Sequence, residues 1–407
     1  MCKEGQSPVD RGPVWQVPLA DVRFGSEEIE AAVEVLRSGW ISQGPVVECF
    51  EAAFAEFLGV KYAVAVANGT AALHLACLAL DLGPGDEVLC PALTFVATAN
   101  AIRYTGARPN FVDITGPDNL NLSPEDLARK ITPRTRAVMV VHYGGFAAEM
   151  PAIQDVAAHY DLAIIEDCAH APGALYPHSG RSRVGSRGTI SCFSFFSNKN
   201  MTTGEGGMVA TNDPALAERV KVGRSHGMTS LSWDRHRGHS FSYDVTAQGY
   251  NYRLDELRAA IGIVQLGRLE ENNARRRTLT RLYRARLREL PHLRLPFLGE
   301  NLDASACHIL PILLPNGEVR QDFMAFLRER GIQTSIHYPP IHRFSHYRQL
   351  WGDEVNHHLP HTEAVAGCEV TLPLFASMSG DQVEQVAAAV RDYFTRGKSG
   401  AYANQSL

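Results

Sequence analysis

From residue 60 to residue 215 the chain alternates short, unbroken apolar runs with segments of helical period, and few architectures accept that pattern. KYAVAVA precedes the helical TAALHLACLAL, DEVLCP precedes FVATANAIRY, and RPNFVDI precedes a helix that starts at Ser123. TRAVMVVHY precedes MPAIQDVAAHY, while LAIIEDCA, TISCFSFF and GGMVATN supply three more strands. A strand that is apolar throughout, rather than on alternate residues, is buried on both faces. The pattern therefore predicts an α/β fold with a mainly parallel sheet covered by helices. Ser123, Pro124 and Asp126 read as N-cap, first-turn proline and capping-box acid of one covering helix.

A long helix near 257–290 ends this rhythm. Its arginine-dense stretch, Arg268 to Arg288, carries Leu279, Leu282, Tyr283 and Leu290 at helical spacing and reads as amphipathic with a solvated charged face. ACHILPILL and IQTSIHY then read as strands, and QDFMAFLRER and DQVEQVAAAVRDYF as helices. The expected division is an N-terminal arm (1–25), a large domain (26–265), a smaller C-terminal α+β domain (266–397) and a tail (398–407). A chain of this length, 45% hydrophobic, buries a large core without disulfides or structural metal. Its eight cysteines form no CxxC pair, which points to a reducing compartment. The polar start, MCKEGQSPVDRGP, holds no hydrophobic signal region, and no apolar run is long enough to span a bilayer. We therefore expect a soluble, cytoplasmic protein. A net charge of -5, without a basic excess, argues against a nucleic-acid partner. His357-His358-x-x-His361 is broken by Pro360, so no metal site is expected.

In an open α/β sheet, ligands bind beyond the carboxyl ends of the strands. Gly69-Thr70-Ala71 follows the first strand and opens a helix, where unpaired N–H groups suit a phosphate; a plain turn capped by Thr70 fits equally. No P-loop and no dinucleotide glycine fingerprint occurs. Glu166-Asp167 ends LAIIEDCA, and a carboxylate buried there needs donors or a cation, such as a protonated ring nitrogen, unless it caps the next segment. Lys199, in FSFFSNKNMTTGEGGM, follows an apolar strand and precedes a glycine-rich turn. It is either a surface lysine or a desolvated amine suited to Schiff-base chemistry. Phe95, after PALT, stacks on an aromatic ligand or packs in the core.

Taken in order, several stretches resemble the DegT/DnrJ/EryC1/StrS family of sugar aminotransferases. They are GWISQGPVVECFEAAFAEFLG, NGTAALHLA, GDEVLCPALTFVATANAI, IIEDCAHAPGA, FSFFSNKNMTTGEGGM, RSHGM and GYNYRLDELRAAIGIVQL, with weaker echoes in IHYPPIH and TLPLF. The resemblance spans nearly the whole chain. It implies a fold-type I enzyme that uses pyridoxal 5'-phosphate (PLP). Lys199 would carry the cofactor covalently, and Asp167 would pair with its ring nitrogen. Gly69, Thr70, Ala71 and Ser194 would hold the phosphate, and Phe95 would stack on the ring. His170 stands where many members have glutamine, near the ring hydroxyl. Asn251 would reach the phosphate of a second subunit, implying a homodimer with shared sites. The implied reaction takes an amino group from an amino acid, L-glutamate, to a keto sugar carried on a nucleoside diphosphate. His337 and Tyr338, and the basic Arg224 and Arg253, are candidate substrate contacts. A free cyclitol ketone is the rival substrate. Sugar dehydration is the rival chemistry, against which Lys199 argues, since related dehydratases carry histidine there. A PLP-binding regulator is the non-enzymatic alternative.

Overall fold

Strand β1 (Tyr62–Val66), β2 (Glu87–Pro91) and β3 (Arg108–Val112) begin the central sheet. A small hairpin, β4 (Ile114–Gly116) and β5 (Asn119–Leu122), intervenes before β6 (Thr135–Val141), β7 (Ala163–Asp167), β8 (Ile190–Ser194) and β9 (Gly207–Thr211). The seven-stranded order is β1-β9-β8-β7-β6-β2-β3. This computed structural model describes residues 15–177, 180, 182–229, 242–351 and 358–396. Residues 1–14 of the expected arm, the tail 398–407 and His357 lie outside the described residues.

Pairings among β3, β2, β6, β7 and β8 are parallel, whereas β9 runs antiparallel to both β8 and β1. The reason lies in the connections. Helices cross over from β2 to β3, from β5 to β6 and from β6 to β7, and residues 168–189 carry the chain from β7 to the parallel β8, whereas the shorter loop 195–206 turns it back into β9. That loop contains Lys199. Because β9 opposes both neighbours, β1 and β8 point the same way, and their carboxyl ends share one edge with β7, β6 and β2.

One face of the sheet packs Phe50, Phe54, Phe193 and Phe195 with Leu266 and Leu269. The other packs Val64, Leu75, Ile102, Phe111 and Val220. A further core joins Leu279, Tyr283, Phe297, Phe323, Val386 and Val390 around the antiparallel pair β10 (Leu310–Leu313) and β11 (Glu369–Leu372). The helix Glu256–Leu287 feeds both the first and the last of these cores. Among the described residues, no helix is long and apolar enough to cross a membrane.

Three local expectations change. IQTSIHY forms no strand, only isolated pairings at Ile332 and Ser335. The place beside β10 goes to β11, and the His337 N–H is taken by the Glu369 side chain rather than by a ladder partner. Ser123 does cap its helix by accepting the Asp126 N–H at 3.2 Å, but the Asp126 carboxylate accepts the Asp113 N–H at 2.7 Å and closes no reciprocal box. The charged face of the long helix is not wholly solvated. Arg276 is buried and donates to the carbonyls of His308 and Leu374, and burial lowers its pKa to about 10.

Glu256 shows how the long helix is fixed at its start. Its buried carboxylate accepts the N–H groups of Gly44, Val46 and Val47 at 2.9, 3.0 and 2.9 Å. It thus caps the helix Pro45–Leu58, which lacks a side-chain cap of its own. Six residues on, Gly262 meets Phe50 so closely that an added Cβ would lie 2.7 Å from the ring. Glu256→Ala would orphan these donors and is expected to lower the unfolding free energy by about 3 kcal/mol. Urea titration of wild type and variant, followed by tryptophan fluorescence, measures the loss.

Candidate active site

The shared carboxyl edge opens into a cavity of about 650 Å³ lined by Gly69, Thr70, Asp167, Ser194, Lys199 and Tyr338, among others. The period of two along β7 sorts its terminal acids. Glu166 points away from the cavity and is saturated. It receives His142 Nε2–H at 2.8 Å, the hydroxyl of Tyr176, and the N–H groups of Gly185, Arg187 and Gly188. Burial alone would raise its pKa, but the His142 and Tyr176 bonds and the backbone donors bring it below the usual value. Asp167 points into the cavity. Only 6% of it is exposed, and among the described residues it holds two donors, the Ala169 N–H at 3.2 Å and the Thr98 hydroxyl at 3.0 Å. Burial raises its pKa, opposed by these donors, Lys199 and His142. A carboxylate in that state is stabilised by any cation the cavity admits.

Lys199 sits on the β8–β9 loop, its N–H bonded to the Phe196 carbonyl at 2.9 Å. The next residue locks the turn. Asn200 donates its amide to Asn273 Oδ1 and to the Ala306 carbonyl, both at 2.7 Å, which ties the loop to the long helix. Lys199 is partly covered, and the cavity walls keep bulk water from its amine. Desolvation brings its pKa down to about 8, against the upward pull of Asp167. Among the described residues, neither group closes an ion pair. A fraction of the lysine is therefore neutral and nucleophilic near neutral pH, far more than for a solvated amine.

Opposite lies the N-terminus of the helix Gly69–Ala79. Asn68 Oδ1 accepts the Ala71 N–H at 2.8 Å, so this donor is already spent and Ala71 contributes wall rather than a bond. The N–H groups of Gly69 and Thr70 remain uncommitted among the described hydrogen bonds. A Cβ on Gly69 would lie 2.8 Å from Ser194 Cβ, so the turn meets the end of β8 only because position 69 has no side chain. Two N–H groups, the Thr70 hydroxyl and the Ser194 hydroxyl thus border one anion-sized corner.

Phe95 is 56% exposed at the cavity wall, not packed in the core, with its ring 5.9 Å from that of Tyr338. His170 accepts the Gly144 N–H at Nδ1 (3.4 Å), which leaves Nε2–H to donate to Tyr338 Oη at 2.8 Å. Burial and the neighbouring Lys199 hold its pKa well below the usual histidine value. His337 and Tyr338 both line the cavity. Arg224 does not: it is 2% exposed, paired with Glu51 and donating to the Ala65 carbonyl, because a buried guanidinium must be neutralised where it lies. Arg253 pairs in an isolated bridge with Val66 and also lies outside the lining. Asn251 is exposed, bridged to Ser225 and outside its own chain's cavity, while the adjacent Tyr252 lines it. Sequence reasoning missed Thr98, Tyr252, Asn198 and Glu205. The one available signal was that Thr98 follows Phe95 by three residues, nearly one helical turn.

An amine able to form a Schiff base, a facing carboxylate in need of a cation, an exposed aromatic and an anion corner together fit a phosphorylated aromatic aldehyde. The comparisons with known proteins agree. A DegT/DnrJ/EryC1/StrS aminotransferase family model matches residues 23–391. Spore coat polysaccharide biosynthesis protein SpsC of Bacillus subtilis is 40% identical over 93% of this chain and 96% of its own length. Among solved structures, PseC of Helicobacter pylori, an aminotransferase of pseudoaminic acid biosynthesis, superposes with a TM-score of 0.86 at 30% identity, covering 93% of this chain and 99% of that one. Spr1654 of Streptococcus pneumoniae in its PLP-form gives 0.85 at 26% identity, with coverage of 93% and 99%. The chain belongs to the DegT/DnrJ/EryC1/StrS aminotransferase family and is a fold-type I, PLP-dependent sugar aminotransferase.

Proposed function

We propose that the chain moves an amino group from L-glutamate to the carbonyl of a keto sugar carried on a nucleoside diphosphate, with Lys199 as the residue that holds PLP. The observation that carries this reading is the pair of groups in one cavity that close no ion pair among the described residues, the Lys199 amine with its pKa near 8 and the buried Asp167 carboxylate. When bound, PLP supplies an electron sink that lets an amino-bearing carbon lose and regain its proton. Lys199 Nζ anchors the cofactor through its aldehyde carbon. When free, Lys199 Nζ would serve as the acid and base that moves a proton at the amino-bearing carbon. Asp167 keeps the ring nitrogen protonated, and Thr98 and the Ala169 N–H aim its oxygens. The N–H groups of Gly69 and Thr70 and the hydroxyls of Thr70 and Ser194 hold the phosphate, and Phe95 covers the ring. Because Nε2 of His170 is engaged with Tyr338, a contact from His170 to the ring hydroxyl runs through that tyrosine's oxygen.

Asn251, exposed and outside its own cavity, suits a contact to the phosphate of a second copy, and we read the enzyme as a homodimer on that ground. The relatives in spore coat polysaccharide and pseudoaminic acid biosynthesis favour a sugar over a cyclitol. The seven described cysteines are all free thiols, which suits the reducing cytoplasm.

Offered candidate amino sugars and 2-oxoglutarate, the enzyme should form glutamate in the reverse direction; release of deoxygenated sugar without donor turnover would point to dehydration instead. Borohydride added to the PLP-loaded enzyme should fix the cofactor on the peptide containing Lys199, and Lys199→Ala should lose label and turnover together. Capture of PLP by the apoprotein requires the neutral amine, so its rate should climb with pH up to about 8 and then level off. Asp167→Asn should fold normally but lose two or more orders of magnitude in kcat, about 3 kcal/mol or more of barrier. Stopped-flow spectra of the half-reaction with L-glutamate measure that loss.

A further inference from the structure

Behind the cavity wall a carboxyl, a hydroxyl and an imidazole stand in a row. Glu369 and Thr371 lie two residues apart on β11 and so share a face. Thr371 Oγ1 is 2.6 Å from Glu369 Oε1 and 2.9 Å from Nδ1 of His337. The second oxygen of Glu369 accepts the His337 N–H at 2.8 Å. Glu369 is wholly buried and, among the described residues, in no ion pair. His337 lines the cavity, and of its two ring nitrogens Nδ1 is bonded to Thr371 while Nε2 has no hydrogen-bond partner among the described residues. A single hydroxyl between a carboxyl and an imidazole can donate to only one of them. Whichever it chooses fixes the tautomer of the ring.

We propose that His337 is a specificity-determining residue that presents Nε2 to the sugar substrate, and that Glu369 and Thr371 are positioning residues that decide whether Nε2 donates or accepts. The proposal rests on the reading that this cavity takes a sugar.

The direction follows from the carboxyl. Burial pushes the Glu369 pKa up to about 8, eased by Thr371, the His337 N–H and Arg320. Near neutral pH the carboxyl is protonated and donates to Thr371 Oγ1, Thr371 donates to Nδ1, and Nε2 carries the hydrogen. His337 then selects an acceptor, a sugar hydroxyl or carbonyl oxygen. Once Glu369 ionises, the row reverses. The carboxyl proton passes to Oγ1, the hydroxyl proton passes to Nδ1, and one proton leaves for solvent from Nε2, which becomes an acceptor. The other groups around the row are accounted for. His337 itself stays neutral, because burial and then Lys199 lower its pKa to about 4. Tyr143, whose hydroxyl donates to the His337 carbonyl, and Tyr338 are both shifted upward by burial. Cys368 is raised to about 11, while Arg320 faces Glu369 from the helix Arg320–Glu329, and His308 and Lys199 lie beyond the ring.

The test uses the PLP-loaded full chain with ¹⁵N-labelled histidine, read by ring ¹⁵N shifts from about pH 6 to about pH 10. The His337 signal, assigned by its loss in His337→Gln, should show hydrogen on Nε2 below pH 8 and on Nδ1 above it. Glu369→Gln, which offers an amide donor to Thr371 at every pH, should hold the hydrogen on Nε2 throughout. Thr371→Ser should keep the switch, and Thr371→Val should abolish it. With the amino sugar identified in the reverse assay, KM should rise about tenfold between about pH 7 and about pH 9 in wild type and stay flat in Glu369→Gln, the weight of one hydrogen bond. A tautomer that ignores pH, or the same midpoint in Glu369→Gln, overturns the relay and would assign any switch to Lys199. A working relay without turnover of any sugar overturns the sugar reading, and with it the substrate role of His337.

Discussion

Everything in this fold converges on the cost of keeping a carboxylate and an amine under cover without letting them neutralise each other. Asp167 and Lys199 face one cavity, and each is shifted toward its neutral form by lack of water. Two such groups in contact would collapse into an ion pair and become inert. The scaffold prevents this by giving each its own anchor. Asp167 is pinned by Thr98 and the Ala169 N–H at the end of a central strand, and Lys199 rides a loop clamped through Asn200 to the long helix. The free energy of folding thus maintains an unsatisfied arrangement that a protonated heterocycle bearing an aldehyde satisfies at both ends.

The base of the site is stiffened by the residue beside it. Glu166 and Asp167 differ in chemistry only through strand period, yet one is filled with donors and the other nearly bare. Saturating Glu166 with His142, Tyr176 and the turn at 185–188 fixes the strand end from below, so that its neighbour cannot turn away. A polar network completed on one side makes an incomplete one tolerable on the other.

The sheet and the lysine turn were legible because both are written locally: apolar runs declare buried strands, and a lysine between an apolar strand and glycines is unusual. What stayed hidden is settled by partners distant in sequence. Nothing in GGMVATN says that it runs against its neighbours; the length of the loop before it decides. IQTSIHY has strand composition, but the edge of β10 was taken by residues 369–372. Arg224 and Ala71 have the right character for ligand contacts, and each is consumed by a neighbour, Glu51 in one case and Asn68 in the other. A one-dimensional pattern reports which groups want a partner, and it is silent on who reaches them first.

The helix Glu256–Leu287 spans about 48 Å at 1.5 Å per residue. Its first half walls the core beneath the sheet through Leu266 and Leu269, and its second half walls the core around β10 and β11 through Leu279, Tyr283 and Leu287. Neither core owns a separate wall on that side. The helix acts as a party wall between two rooms, so losing either room exposes the other. A ligand docking near Asn200 therefore bears on both of these cores through the one helix to which Asn200 is tied.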